Sequence, residues 1–433
     1  MGNEVLKFVD LFAGVGGIRL GLETVLKRHS VKHECVFSCE IHPKAQETYY
    51  LNYGEQPYQD IRTVDSLPSH DVLLAGFPCQ AFSYAGKQKG FGDTRGTLFF
   101  EIERLLGAAT EKPRYLLLEN VRGFTTHDGG RTFRTVLERL NLLGYNVEHL
   151  MLNSSNFAVP QNRVRIYLVC KLNAAPRVTI KSDLGSSDSH KFKRRKSQLD
   201  IFEGSDQAYT VVKDILEPEV DPTYYCSPRF LEQLQAALNG QPFTKLHGVR
   251  MIDHRGGNSL HSWDMGLKGI CSKDERDFMD ALIANRRKKK FGEEQDGKKL
   301  TIEQIREFWD KPQLETVMES LVTKGYLSES DSRYNPVAGN MSFEVFKFLD
   351  PESIAITVVS SDAHKLGVVT NDIPRRITPR ECARLQGFPD SFKLHSSDTW
   401  AYHQLGNSVS VPVITAIIND LVENNPDFLE PYN

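Results

Sequence analysis

Eight residues, Gly76-Phe77-Pro78-Cys79-Gln80-Ala81-Phe82-Ser83, follow an apolar run, Asp71-Val72-Leu73-Leu74-Ala75, that reads as a buried strand. Glycine and proline at the end of a strand make a rigid turn, and Cys79 puts a thiol on it. A cysteine near neutral pH has an appreciable thiolate fraction and is intrinsically nucleophilic, the more so beside cationic groups. In open α/β sheets, ligands bind at the carboxyl ends of the strands, which is where this turn falls. Free cysteine is otherwise among the most buried residue types. That plainer reading is taken for Cys35, Cys39, Cys170, Cys226, Cys271 and Cys382.

The elements that must position such a thiol are legible on both sides of it. Lys7 to Phe12 reads as a strand, and Ala13-Gly14-Val15-Gly16-Gly17 turns it into a helix starting near Ile18. Glycines let the backbone approach a ligand closely, and a helix N-terminus offers unpaired N–H groups. The next strand, Glu34 to Ser38, ends at Cys39-Glu40, and an acid about 20 residues past a glycine turn is placed to accept ribose hydroxyls. Asp60-Ile61 closes a third segment. Glu40 or Asp60 alone could be a helix cap; the ordered set is harder to explain that way. Beyond the thiol, Thr97 to Leu106 is helical and Arg114 to Leu118 is a strand delivering Glu119-Asn120. Thr132 to Leu143 is a helix stopped by Gly144, and Tyr145–Leu152 and Gln161–Val169 are extended. Arg163 and Arg165, two apart, share one side of the last of these.

Pro78-Cys79-Gln80-x-x-Ser83, Glu119-Asn120-Val121 and Gln161-x-Arg163-x-Arg165 together resemble the bacterial DNA (cytosine-5)-methyltransferases of restriction-modification type. Arg375 to Pro389 and Gln404-Leu405-Gly406-Asn407-Ser408-Val409 renew the match, so that it covers roughly 1–171 and 375–420 in the family's motif order. The resemblance implies an α/β fold: a class I S-adenosylmethionine-dependent methyltransferase, with a Rossmann-like sheet and an inserted, smaller target-recognition domain. It implies S-adenosylmethionine held by Phe12, Gly14, Val15, Gly17, Glu40, Ile41, Asp60, Ile61, Pro78, Leu98, Asn407 and Val409, with Glu40 on the ribose. It implies catalysis by Cys79, Gln80, Glu119, Arg163 and Arg165. The thiolate adds to carbon 6 of cytosine and makes carbon 5 nucleophilic. Glu119 meets N3 and the exocyclic amine, and Arg165 holds O2. The base must first leave the stack. Gly86 to Asp93 looks like the loop that closes over it, and Ser83, Lys87 and Gln88 are expected to contact DNA.

The family signal fades in the middle of the chain. We expect a catalytic domain at 1–172, a target-recognition domain at 173–374 and a catalytic return segment at 375–433. Within the middle, Ser272-Lys273-Asp274-Glu275 and Thr301-Ile302-Glu303-Gln304 are capping boxes, and a third helix from Leu314 ends at Gly325. With strands expected at Tyr326–Leu327 and Ser342–Leu349, residues 272–350 outline a winged-helix-like insert. Its third helix carries Glu315 and Glu319, which suits a brace better than a phosphate contact. Base contacts are expected from Arg250, Arg255 and Asn258, in the polar stretch ending at Trp263, and from Thr357 in the strand-like run Ile354–Ser361. His247, His254 and His261 lack nearby cysteines and metal-ligand spacing, and no metal is expected.

Composition sets the outer limits. With 433 residues, 40% hydrophobic and 25% charged, the chain has room for two or three domains. It shows no signal-peptide pattern and no evident bilayer-spanning apolar run. Seven cysteines without a C-x-x-C pair point to reduced thiols and an intracellular, bacterial-cytoplasmic setting. The net charge of −3 does not advertise nucleic-acid binding, although basic runs occur at Lys191–Lys196 and Arg286–Lys290. Double-stranded DNA is the expected partner, a monomer suffices, no membrane is involved, and the link to a cognate restriction endonuclease is functional. A tRNA methyltransferase of the same fold is the alternative, disfavoured because its Cys-Phe-Thr signature is absent. A regulator that has lost catalysis is disfavoured by the intact Cys79, Glu119, Arg163 and Arg165.

Overall fold

The computed structural model describes residues 5–78, 98–182, 210–292, 299–337 and 343–430. They fall into two compact units, one from residues 1–215, 354–363 and 379–433, the other from 216–353 and 364–378. The first unit therefore runs past the expected limit at 172, and it takes 354–363 out of the expected 173–374 domain.

The first unit begins with β1 (Leu6–Leu11), α1 (Gly17–Arg28), β2 (His33–Cys39), α2 (Pro43–Tyr53), β3 (Val72–Gly76) and α3 (Leu98–Ala108). It continues with β4 (Tyr115–Val121), α4 (Arg131–Leu142), β5 (Tyr145–Asn153) and β6 (Val164–Leu172). The sheet order is β2-β1-β3-β4-β6-β5. The pairs among β2, β1, β3 and β4 are parallel, and β6 is antiparallel to both β4 and β5. Parallel strands are covered on both faces, so they read as continuous apolar runs rather than alternating ones. Successive residues feed two cores. Phe8, Val72, Leu74 and Leu117 pack with α1, whereas Val9, Leu73, Ala75 and Leu116 pack with α3 and α4. Each valine, leucine or phenylalanine among them contributes about 1.5–3 kcal/mol by leaving water. β4 runs three residues beyond the expected strand, so Glu119 and Asn120 sit inside it, opposite Tyr167 and Ile166.

The second unit holds α5 (Pro228–Ala237), β7 (Arg250–Met251), β8 (Ser259–Leu260), α6 (Lys273–Asn285), β9 (Leu300–Thr301), α7 (Ile302–Arg306) and α8 (Leu314–Lys324). β10 (Leu327–Ser330), β11 (Arg333–Pro336), β12 (Lys347–Phe348), β13 (Leu366–Thr370) and β14 (Ile373–Arg376) complete it. A five-stranded sheet, β14-β13-β12-β7-β8, has its own core around Phe230, Met251 and Phe348. The three helices α6, α7 and α8 and a small sheet, β10-β11-β9, close a second core around Trp263, Phe278, Leu321 and Tyr326. Both expected capping boxes form. The hairpin differs from expectation: its second strand is β11, and Lys347–Phe348 joins the five-stranded sheet. Asp331 and Ser332, at φ 54° and 56°, make the tight turn that sets this register.

The return segment brings α9 (Pro379–Leu385), α10 (Asp398–Asn407) and α11 (Val411–Asn424) back to the first unit. Val413, Ile414 and Ile417 of α11 join Leu22 and Val25 of α1 in one core. Together α10 and α11 span Asp398–Asn424, a stretch long and apolar enough to cross a bilayer by composition, but 78% of its apolar 18-residue window is buried within the fold. The run Ile354–Ser361 forms no strand; its ladder pairing is limited to an isolated parallel bridge, Ala355 to Gln161. Gln161, fully buried, ties three remote segments together. Its side-chain amide donates to Leu385 O (2.7 Å), and its Oε1 accepts from Val358 N (2.9 Å).

Candidate active site

The carboxyl ends of β1 to β4 open into a cavity of about 810 Å³, entirely within the first unit. β1 contributes the glycine turn: Phe12, Gly14, Val15 and Gly17 line the cavity. Phe12 itself is left-handed at φ 53°, a conformation that is strained for a bulky side chain and concentrates at functional sites. Gly17 is needed for close approach, since a Cβ there would lie 2.8 Å from Ser408 Oγ and 2.9 Å from Val409 Cγ2. After β2 come Glu40 and Ile41, and beyond α2 come Asp60 and Ile61. Pro78 follows β3, Leu98 opens α3, and Asn407 and Val409 arrive from the junction of α10 and α11. All twelve residues expected around a cofactor thus face one cavity, which also takes in Glu119, Arg163 and Arg165.

The acidic groups that follow β2 and α2 are tied to main chain. Glu40 accepts from Gly14 N (2.8 Å) and from His42 N (2.7 Å), which fixes the glycine turn to the end of β2. Asp60 caps a single 3-10 turn through Arg62 N (3.0 Å) and pairs with the Arg62 guanidinium, whose hydrogen bond holds its carboxyl below the usual range. The capping role and a place on the cavity wall therefore coexist.

On the opposite side, Glu119 is 9% exposed and pairs with Arg165, Nε to Oε1 at 3.3 Å. Burial pushes its carboxyl above the usual carboxylate value, with Arg165 and Arg163 pulling the other way. Arg163 is 2% exposed, donates to Val358 O (2.8 Å) and Ser408 O, and has its pKa drawn down to about 9 by burial and by Arg165. Its guanidinium thus holds the return segment against β6, while Arg165 carries the charge nearest Glu119. Asn120, which attracted no role in the sequence, donates to Phe77 O at 2.9 Å and so bolts β4 to the residue two before Cys79.

Cys79, Gln80, Ser83, Lys87 and Gln88 lie outside the described residues. The six other cysteines are free thiols, five of them buried, and burial pushes Cys35, Cys39, Cys226 and Cys382 up to about 12. Among the described residues no cluster of side chains suits a metal ion. Arg255 and Asn258 are exposed on the loop between β7 and β8 in the second unit, and Arg250 is half-buried in β7. Thr357, in contrast, belongs to the first unit and gives its hydroxyl proton to Asn162 O at 2.6 Å. Sequence reading missed His42 and His403, whose rings lie 5.8 Å apart on the cavity wall beside Trp400. Their spacing along the chain, more than 350 residues, carries no local signal.

A family model described as C-5 cytosine-specific DNA methylase matches residues 6–423. The chain is 59% identical to the Type II methyltransferase M.BanI of Aneurinibacillus aneurinilyticus, over 97% of this chain and 96% of that one. It is also 59% identical to the Type II methyltransferase M.HgiCI of Herpetosiphon aurantiacus, over 97% and 98%. Among solved structures, the S. pombe Dnmt2 methyltransferase superposes with a TM-score of 0.52 at 19% identity, covering 96% of this chain and 98% of that one, which bears on the fold alone.

Proposed function

The chain belongs to the C-5 cytosine-specific DNA methylases and is a DNA (cytosine-5)-methyltransferase; from that premise we propose that it methylates one cytosine of a specific duplex sequence through a covalent Cys79 adduct, as the modification partner of a restriction endonuclease in a bacterial cytoplasm. The observation that carries this reading is the meeting of two unlike groups in one cavity: a glycine turn braced by Glu40, and a buried Glu119–Arg165 pair.

The family and fold imply S-adenosylmethionine as methyl donor. The cavity suits it: main-chain N–H groups at the start of α1, a carboxylate in Glu40 that would take the ribose hydroxyls, and apolar walls from Phe12, Ile41 and Ile61. When bound, the cofactor supplies an electrophilic methyl group. The chain's own residues prepare the base. Cys79, one residue past the Phe77–Pro78 backbone that Asn120 holds, forms a bond from sulfur to carbon 6 as the ring's 5,6 double bond shifts its electrons toward carbon 5. Glu119 has the burial to keep a proton and gives it to N3, and Arg165 holds O2. Once carbon 5 has used that electron pair to take the methyl group, a base removes the carbon-5 proton, the pair left behind reforms the 5,6 double bond, N3 returns its proton to Glu119, and the Cys79 thiolate leaves. A stacked cytosine is out of reach, so the base must swing out of the duplex. The second unit, with Arg255 and Asn258 exposed on one loop, is the target-recognition domain in this reading.

Transfer of tritiated methyl groups to duplex DNA and to total tRNA separates the two substrates. Label in duplex DNA alone, with a denaturation-resistant adduct on DNA carrying 5-fluorocytosine, is the expected result. Label in tRNA alone would install the alternative.

A further inference from the structure

Beneath the glycine turn lies a half-buried tyrosine that none of the roles above uses. Tyr53, the last residue of α2, donates its hydroxyl to Gly16 O at 2.7 Å. The same carbonyl accepts Leu20 N (2.9 Å), the first hydrogen bond of α1, so it is fixed from two directions. Gly16 is left-handed at φ 84°, and a Cβ there would lie 2.3 Å from the Tyr53 ring. Ring and glycine thus occupy complementary space. Arg19 covers the ring, its guanidinium carbon 4.1 Å from the centroid. Arg19 is held in turn by Glu23 (2.6 Å), by the Tyr49 hydroxyl (2.9 Å) and by Glu55. An arginine that is 8% exposed and bound by two carboxylates cannot swing away without leaving charge uncompensated.

We propose that Tyr53 is a positioning residue for cofactor binding: its hydroxyl and ring set the direction and depth of the Gly16 carbonyl, and Arg19 clamps the ring. The inference rests on reading the cavity as the S-adenosylmethionine site. Tyr53 is absent from the cavity wall, so it acts through the turn and never through contact with the ligand.

Calorimetric titration of the full chain with S-adenosylmethionine and S-adenosylhomocysteine tests it. Tyr53→Phe keeps the ring and removes one hydrogen bond, and should raise both dissociation constants by about three- to tenfold. The kcat at saturating cofactor should stay within about twofold, because the reacting groups on β4 and β6 are untouched. Tyr115→Phe is the control: that hydroxyl binds Asp427 at 3.0 Å, away from the cavity, and its loss should lower Tm without changing either constant. Gly16→Ala should weaken binding severely in wild type and much less in a Tyr53→Ala background, since the ring it strikes is gone. Unchanged affinity in Tyr53→Phe, equal losses in the two tyrosine variants, or strict additivity of the Gly16 and Tyr53 changes would each overturn the proposal. Failure of the wild type to bind either ligand would overturn the reading of the cavity instead.

Discussion

Two carboxylates face the same cavity and are held in opposite ways. Glu40 is matched by the N–H groups of Gly14 and His42, fixed dipoles that stay put whatever binds. Glu119 is buried, with one arginine side chain at 3.3 Å, and its carboxyl is driven upward by lost hydration. A group of the first kind is built to accept further donors, such as ribose hydroxyls. A group of the second kind is built to keep and release a proton. Under the proposed function, one cavity has a binding side on β1 and β2 and a reacting side on β4 and β6, and the two should come apart under substitution.

The most severe separation is Cys79→Ser, which should reduce methyl transfer to background while the dissociation constant for S-adenosylmethionine stays near that of wild type. An adduct with 5-fluorocytosine DNA that survives in this variant would move the nucleophile elsewhere. Glu119→Gln comes next. Loss of a positioned proton donor should cost about 10² to 10⁴ in kcat, again without weakening cofactor binding. Glu40→Ala should do the reverse: affinity falls by roughly ten- to a hundredfold, the size of a charge-assisted hydrogen bond, and kcat at saturation is largely kept. Equal loss of affinity in the Glu40 and Glu119 variants would end the distinction between the two sides.

The second unit permits a smaller test. Arg255→Ala or Asn258→Ala should cost about 1–3 kcal/mol of discrimination at one base pair, whereas Glu315→Gln and Glu319→Gln on α8 should leave the methylated sequence unchanged. Methylation mapping would show the reverse pattern if the helices did the reading.

The smallest effect concerns Asp10, 1% exposed in β1, which burial raises from 3.8 to about 7 despite Arg19 nearby. Its folded value exceeds its unfolded one, so its stabilising contribution is complete below about 3.8 and is lost as pH rises through about 7. Asp10→Asn does not titrate, so its Tm relative to wild type should climb by a few degrees between about pH 5 and pH 8. A constant offset across that range would mean that Asp10 stays ionised throughout.

Much of this was legible because its signals are local. The strands β3 and β4 are apolar runs ended by glycine or an acid, and the capping boxes at Ser272 and Thr301 need only four residues each. Signals failed where the cause lies elsewhere in the chain. β11 reads Arg-Tyr-Asn-Pro, with no aliphatic or β-branched residue to mark it, and its turn uses Asp331-Ser332 where asparagine-glycine would have been recognised. Ile354–Ser361 has the composition of a strand, yet Gln161 and Arg163 consume its carbonyl and amide groups one at a time and leave no ladder. Tyr53 carried no local signal, since its partner lies 37 positions earlier.

The three-way grip of Gln161 on segments near 161, 358 and 385 has a consequence for biosynthesis. The catalytic unit is not contiguous: its cavity wall is completed by Asn407 and Val409, and its core by α11, after the whole second unit has been translated. At about 5–20 residues per second, residues 379 to 433 emerge several seconds after the second unit is finished. Until then α1 has no α11 to pack against, and its apolar face is exposed on the ribosome-bound chain. A product that ends before α10 therefore lacks both the last part of the cavity wall and the helix that covers α1.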